Sequence, residues 1–206
     1  GRAISESLAS EGHDLVLSYA SNTSAANLCK ESLSKYNVRV MLVGGDISLS
    51  ETHDSIFQAC EWSDQPLECM VHNAGQYVGL TTSNYKDMPY NIYQFGAGHE
   101  YGEQLQYYED LYGNAFIALC ERSLQKMRSG SLIGISSPGC NSVSRPPIGY
   151  ELPGAGKSIM EYAMRLFAVR CAEKKISCNV IIPGACATDA LSTMLVQMNT
   201  TFENMQ

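Results

Sequence analysis

The sequence holds eight cysteines but no C-x-x-C pair and no His/Cys cluster at zinc-ligand spacing. That excludes the common structural zinc frameworks, and no metal site is expected. Cys69 ends an apolar run, Cys120 and Cys171 fall in helical patterns, and Cys178 precedes a strand. Such placement reads as buried reduced thiols in a cytosol-like compartment rather than as a disulfide scaffold. Positive charge is scarce, with 14 Lys and Arg against 21 Asp and Glu and a net charge of -7. No basic cluster offsets that balance, so a nucleic-acid partner is not expected. No apolar run approaches the roughly 20 residues that span a bilayer, so no membrane partner is expected either. A cytoplasmic setting follows as the expectation, with organellar targeting left open by the abrupt start at Gly1.

What remains is a chain of 206 residues, long enough for one domain with a substantial core. Helix-period and strand-like segments alternate along it. Residues 2–11 read as a helix stopped by Gly12, 13–18 as a strand, and 24 to about 36 as a helix with Ser24 as its cap. Residues 38–43 read as a strand, 50–60 as a helix and 67–72 as a strand ended by Asn73-Ala74-Gly75. Residues 76–106 break the rhythm and read as a long polar and aromatic loop, carrying Tyr77, Tyr85, Tyr90, Tyr93, Phe95 and Tyr101. A helix over about 107–127, a strand over 131–135, a helix from near Lys157 and a strand over 178–182 complete the pattern. The helix after Lys157 carries an apolar stripe through Ile159, Met160, Ala163, Met164, Phe167 and Cys171, while Tyr162 beside it reads as packed. Strands alternating with helices predict an α/β fold: a doubly wound parallel sheet in three layers, α/β/α. Ligands of such sheets bind at the carboxyl ends of the strands, which here carry Asp46, Asn73-Ala74-Gly75, Ser136-Ser137 and Pro183-Gly184.

At those strand ends the sequence resembles the short-chain dehydrogenase/reductase superfamily, from Gly1 to about Ala190. Gly1-Arg2-Ala3 is similar to the end of the family's T-G-x-x-x-G-I-G-R-A turn, Asp46-Ile47 to its Asp-hydrophobic pair, and Asn73-Ala74-Gly75 to its N-N-A-G stretch with His72 in place of the first Asn. Pro183-Gly184 with Thr188 is similar to its P-G-x-x-x-T stretch. The resemblance implies a single Rossmann-type domain over 1–206 that lacks the first strand with its glycine turn and the last strand. Residues 76–106 would be an insertion and 191–206 the start of a substrate-covering region. It also implies a nicotinamide dinucleotide held by Gly1, Arg2, Tyr19, Ser21, Asp46, Ile47, Asn73, Ala74, Gly75, Lys157, Pro183, Gly184 and Thr188. Tyr19 stands where an acid would meet the ribose 2′-hydroxyl in enzymes that prefer NAD, so NADP is expected over NAD.

The resemblance further implies Ser137, Tyr150 and Lys157 as catalytic residues: serine positions the substrate oxygen, tyrosine moves the proton and lysine supports it. Ser137 and Tyr150 have the expected spacing of thirteen, but Tyr150 and Lys157 are seven apart instead of four, with Pro153 four before the lysine. That wider spacing is similar to the enoyl-acyl-carrier-protein reductases of the same superfamily. The run Tyr150 to Lys157 contains Pro153-Gly154 and reads as a stiff loop, and an insertion falls between 138 and 156. The family's helix asparagine falls at Tyr112, with Asn114 off register. Two readings stay open. One is an NADPH-dependent reductase acting on the carbonyl or enoyl group of a small molecule or acyl thioester. The other is a non-catalytic NADP-binding module or inactive fragment. Association through the two long helices as a homodimer or homotetramer is expected by analogy.

Overall fold

The structure, a computed structural model, describes residues 1–75, 99–146 and 150–188 and a few positions between 191 and 201. Residues 76–98, with Tyr77, Tyr85, Tyr90, Tyr93 and Phe95, and most of 191–206 lie outside the described residues, as do 147–149 within the expected insertion.

In order, the elements are α1 (Arg2–Ser10), β1 (Leu15–Tyr19), α2 (Thr23–Leu33), β2 (Val40–Gly44), α3 (Ser50–Ala59), β3 (Cys69–His72), α4 (His99–Tyr108), α5 (Ala115–Lys126), β4 (Gly130–Ile135), α6 (Glu151–Cys171) and β5 (Ile176–Ile181). All pairings are parallel: β1 with β2, and β3-β4-β5 in a second ladder. This is the expected α/β class with helices connecting parallel strands. Asn22, not Ser24, caps α2, its side chain accepting a hydrogen bond from Ala25 N at 2.9 Å. Helix already begins at His99, so the loop expected through 106 ends earlier. A π-helical turn, Glu109–Asn114, joins α4 to α5. Helix α6 begins at Glu151, six residues before the expected start, and Pro153 sits in its first turn. Proline is tolerated there because a first-turn N–H has no intrahelical acceptor to lose.

The main core lies between the β3-β4-β5 ladder and the helices, with Phe116, Leu132, Met160 and Cys171 among its most buried residues. Cys120 on α5, Cys171 at the end of α6 and Cys178 on β5 lie buried together inside it. A smaller cluster of Ala9, Leu15 and Leu33 packs α1 and α2 on β1 and β2. Tyr162, expected to pack, is 58% exposed and forms an apolar row with Leu166 and Val169 along α6.

Between the two ladders runs a cleft of about 1020 Å³. Leu15 N donates to Arg39 O and Gly45 N to Tyr19 O, so alternate residues of β1 face β2 and the backbone of Val16 and Ser18 turns the other way. Ser131 N donates to Glu68 O, so by the same alternation Cys69 and Val71 of β3 turn away from β4. All four line the cleft, together with Ile4 and Leu8 of α1 and Phe57 of α3. Two parallel sheet edges thus face each other across an apolar gap that ends beside Gly1 and Asn73.

Candidate active site

The carboxyl end of β4 runs straight into Ser136 and Ser137, and α6 crosses behind it. Seven residues are just under two helical turns, so Tyr150, at the N-cap of α6, and Lys157 lie on one side of the helix. The spacing that looks irregular in sequence is therefore regular in space. The Lys157 ammonium donates to Ser137 Oγ at 2.8 Å and reaches Ser136 O at 3.5 Å. Ser137 Oγ and Tyr150 Oη lie 2.7 Å apart in a hydrogen bond. Because an ammonium can only donate, Ser137 Oγ accepts from Lys157 and its own hydrogen is directed elsewhere. Burial pushes the Lys157 ammonium below its ordinary pKa, against smaller opposing effects from the charges of Cys140 and Glu161.

Two polar residues absent from the sequence reading hold the loop after β4. Glu161 is buried on α6, one turn past Lys157, and its carboxylate accepts from Ser136 Oγ and from Asn141 Nδ2. Ser158 Oγ lies 2.9 Å from Cys140 O and 2.7 Å from Gly154 O, and its one hydrogen is shared between the two carbonyls. An acid standing in the apolar stripe of α6 is the signal that could have found Glu161.

His72 is buried at the end of β3, and its Nε2 bonds to Leu111 O at 3.0 Å within the π turn. Burial drives its pKa down to about 4, so the ring is neutral near neutral pH. Tyr112, at the position of the family asparagine, is buried with its ring 4.9 Å from Lys157 Nζ. Asn114 points away, donating to Asp110 Oδ1 on an exposed face.

The remaining residues singled out in sequence gather at the same end of the strands. A Cβ on Gly1 would come 3.2 Å from Asn73 Nδ2, and one on Gly75 would come 2.9 Å from Tyr112 Oη, so both glycines stand where a side chain would crowd the site. Gly1, Arg2, Tyr19, Ile47, Asn73 and Ala74 border the cleft. Tyr19 lies across Gly44, and Ser21, exposed, accepts from Thr23 N through its carbonyl. Asp46 accepts from Ser48 N at 2.9 Å and from Tyr107 Oη at 3.3 Å, and Ile47 beside it is buried. Pro183 and Gly184 follow β5 close to Ser136, whose N–H donates to Ile181 O. Thr188 Oγ1 accepts from Leu191 N and is exposed. Among the described residues, no three His, Cys, Asp or Glu side chains gather as a metal-binding set. No described helix is long and apolar enough to cross a membrane.

Comparison with known proteins gives this arrangement a family. The family model described as Enoyl-(Acyl carrier protein) reductase matches residues 1–206. The tetrahydroxynaphthalene reductase PfmaG of Pestalotiopsis fici is 24% identical over 193 residues, covering 92% of this chain and 62% of its own length. A short-chain type dehydrogenase/reductase of Picea abies is 27% identical over 197 residues, covering 92% of this chain and 67% of its own. The chain thus spans about two thirds of the length of these relatives. The L-sorbose reductase of Gluconobacter frateurii, solved with NADPH and L-sorbose, superposes with a TM-score of 0.80 at 22% identity, over 97% of this chain and 70% of its own. The acetoin dehydrogenase YohF of Salmonella typhimurium superposes with a TM-score of 0.74 at 19% identity, over 90% and 72%. The parallel α/β fold with its strand-end loops and the match along the whole sequence place the chain in the short-chain dehydrogenase/reductase superfamily, within the family described as Enoyl-(Acyl carrier protein) reductase.

Proposed function

We propose that this chain carries the catalytic centre of an NADPH-dependent reductase that delivers a proton through Tyr150 to the oxygen of a carbonyl or conjugated enoyl substrate. The observation that carries the reading is the contact chain Lys157 Nζ, Ser137 Oγ, Tyr150 Oη, at 2.8 and 2.7 Å. The same contact favours catalysis over the non-catalytic module, because the seven-residue spacing no longer separates tyrosine from lysine.

Ser137 Oγ, bonded to both partners, fixes the position of the phenol. A positive charge one serine away stabilises the phenolate left when Tyr150 gives up its proton, and the Ser137 hydroxyl can donate to that phenolate. Glu161 and Asn141 hold the loop after β4, which keeps Ser137 in place. A nicotinamide dinucleotide fits the other strand ends: Gly1, Arg2, Tyr19, Ser21, Asp46, Ile47, Asn73, Ala74, Gly75, Pro183, Gly184 and Thr188 would hold it, together with Lys157. When bound, it supplies the hydride. Tyr19 in place of an acid at the end of β1 supports the phosphorylated form, as does the NADPH in the sorbose reductase structure. The relatives named for hydroxynaphthalene reduction support a small-molecule substrate. The exposed row Tyr162, Leu166 and Val169 supports association of copies through α6 as a homodimer or homotetramer.

Ketones and enoyl thioesters screened with NADPH should reveal oxidation of the cofactor. Tyr150→Phe should lower turnover by roughly a hundredfold or more while NADPH affinity holds. Full turnover in that variant removes Tyr150 from the chemistry, and NADPH binding without turnover on any substrate favours the non-catalytic module.

A further inference from the structure

Lys157 is a buried cation with an unusual set of neighbours. It is 8% exposed, and its described hydrogen-bond partners are the neutral oxygens of Ser137 and Ser136. Among the described residues no carboxylate lies within ion-pair distance of it. Glu161, whose charge reaches it, is engaged by Ser136 and Asn141. A cation taken out of water needs compensation, and two neutral hydroxyl or carbonyl contacts are few. The aromatic face of Tyr112, 4.9 Å from Nζ, is the neighbour on its other side, well inside cation–π range, whereas the Tyr150 ring stands farther off at 6.0 Å.

Several features converge on putting Tyr112 there. Gly113 and Gly156 let the π turn and α6 touch: a Cβ on Gly156 would lie 2.1 Å from Tyr108 O, and one on Gly113 would lie 2.6 Å from Ile159 Cγ2. The π turn widens the helix at this crossing, the kind of local insertion that recurs at functional sites. His72 bonds the carbonyl of Leu111 inside that turn, one residue before Tyr112. Tyr108 stacks on Tyr112, with centroids 6.1 Å apart and planes 14° apart. The ring is thus held by its own helix, by β3 and by α6.

We propose that Tyr112 is a positioning residue for Lys157: its ring face stabilises the buried ammonium in place of a carboxylate and holds it against Ser137. The role rests on the reductase reading, yet it can be measured without turnover. The ionisable groups facing Lys157 are Cys140 from the loop after β4, Glu161 on its own helix, Tyr150 at the start of that helix, Tyr112 from the π turn and His72 from the end of β3. Only Tyr112 presents its ring within 5 Å among the described aromatic contacts of Lys157.

The test replaces Tyr112 with phenylalanine and then with mono-, di- and trifluorinated phenylalanines. Fluorine withdraws charge from the ring face and barely changes its shape. The Lys157 titration is followed by NMR in chain labelled with ¹³C at lysine Cε, the signal being assigned by its loss in Lys157→Met. A weaker ring face disfavours the ammonium, so the titration midpoint should fall stepwise, by about half to one and a half pH units across the series. A midpoint that stays fixed overturns the proposal. A second measurement needs no substitution: in the unaltered chain the Lys157 ε-protons should be shifted upfield by the ring current, and an unshifted signal also overturns it. A falling midpoint in a chain that turns over no substrate leaves Tyr112 in its role and sinks the reductase reading. Turnover with a fixed midpoint does the reverse.

Discussion

Acid should weaken this fold through His72, by an amount that its surroundings allow to be worked out. The ring is buried, with a folded-state pKa of about 4 against an ordinary value of 6.5. The unfolded chain therefore binds a proton that the folded chain refuses, so stability falls as pH drops through the unfolded value and stops falling below about 4. Integrated from about pH 7.5 down to about pH 5, the loss from this one group is roughly 2 kcal/mol, and it reaches about 3 kcal/mol only at about pH 4. That is a large part of the stability of an ordinary domain. The assay is urea unfolding at the two pH values for the unaltered chain and for His72→Asn. Asparagine keeps an N–H to offer Leu111 O but cannot take up a proton. The variant should lose roughly 2 kcal/mol less on acidification than the parent. Equal losses in the two chains would refute the reasoning, because the acid sensitivity would then belong to other groups.

Gly156→Ala should destabilise the chain despite the better helix propensity of alanine, because the new methyl meets the backbone oxygen of Tyr108 and not a flexible side chain. The overpacking cost of about 1–3 kcal/mol exceeds the propensity gain of up to about 1 kcal/mol, and an unchanged or higher urea midpoint would argue against the close crossing of α6 and the π turn. Both edges of the cleft between β1 and β3 offer backbone groups turned toward it, so the gap would accept one more parallel strand. Adding a short apolar strand and a glycine turn ahead of Gly1 should raise Tm, by roughly 2–4 °C for each kcal/mol gained in a chain of this size. A polar scrambled extension that does equally well would reject that reading.

The strand ends were legible in the sequence because each pairs an apolar run with a short polar or glycine stop, as at Val71-His72-Asn73 and Ile135-Ser136-Ser137. The order of those stops carried the family. What escaped were features that depend on three-dimensional crossings. Pro153 read as a loop residue, yet it occupies the one turn of a helix that has a spare N–H, and so α6 extends back to Tyr150. The π turn shows in the apolar pattern only as a five-residue step from Leu111 to Phe116, both buried, and one such step is easily passed over beside the ordinary three-residue step to Leu119. Within that turn the Tyr112 ring faces Lys157, while Asn114 donates to Asp110 on an exposed face. Tyr162 read as packed because its neighbours Met160 and Ala163 are buried, but it lies on the opposite face of α6. An acid next to a buried stripe ordinarily faces water, whereas here Ser136 and Asn141 take Glu161 in.

The three thiols inside the main core give this protein a clock of its own. Cys120 on α5, Cys171 on α6 and Cys178 on β5 are buried where the two helices pack on that strand, Cys140 is buried in the loop after β4, and Cys186 is exposed. An alkylating reagent at neutral pH would therefore tag Cys186 at once and the inner three only during moments when the two helices lift from β5. Read site by site at Cys120, Cys171 and Cys178, apart from Cys140 and the half-buried Cys29, Cys60 and Cys69, the slow labelling times the breathing of the scaffold that holds Lys157, with no probe added to the chain.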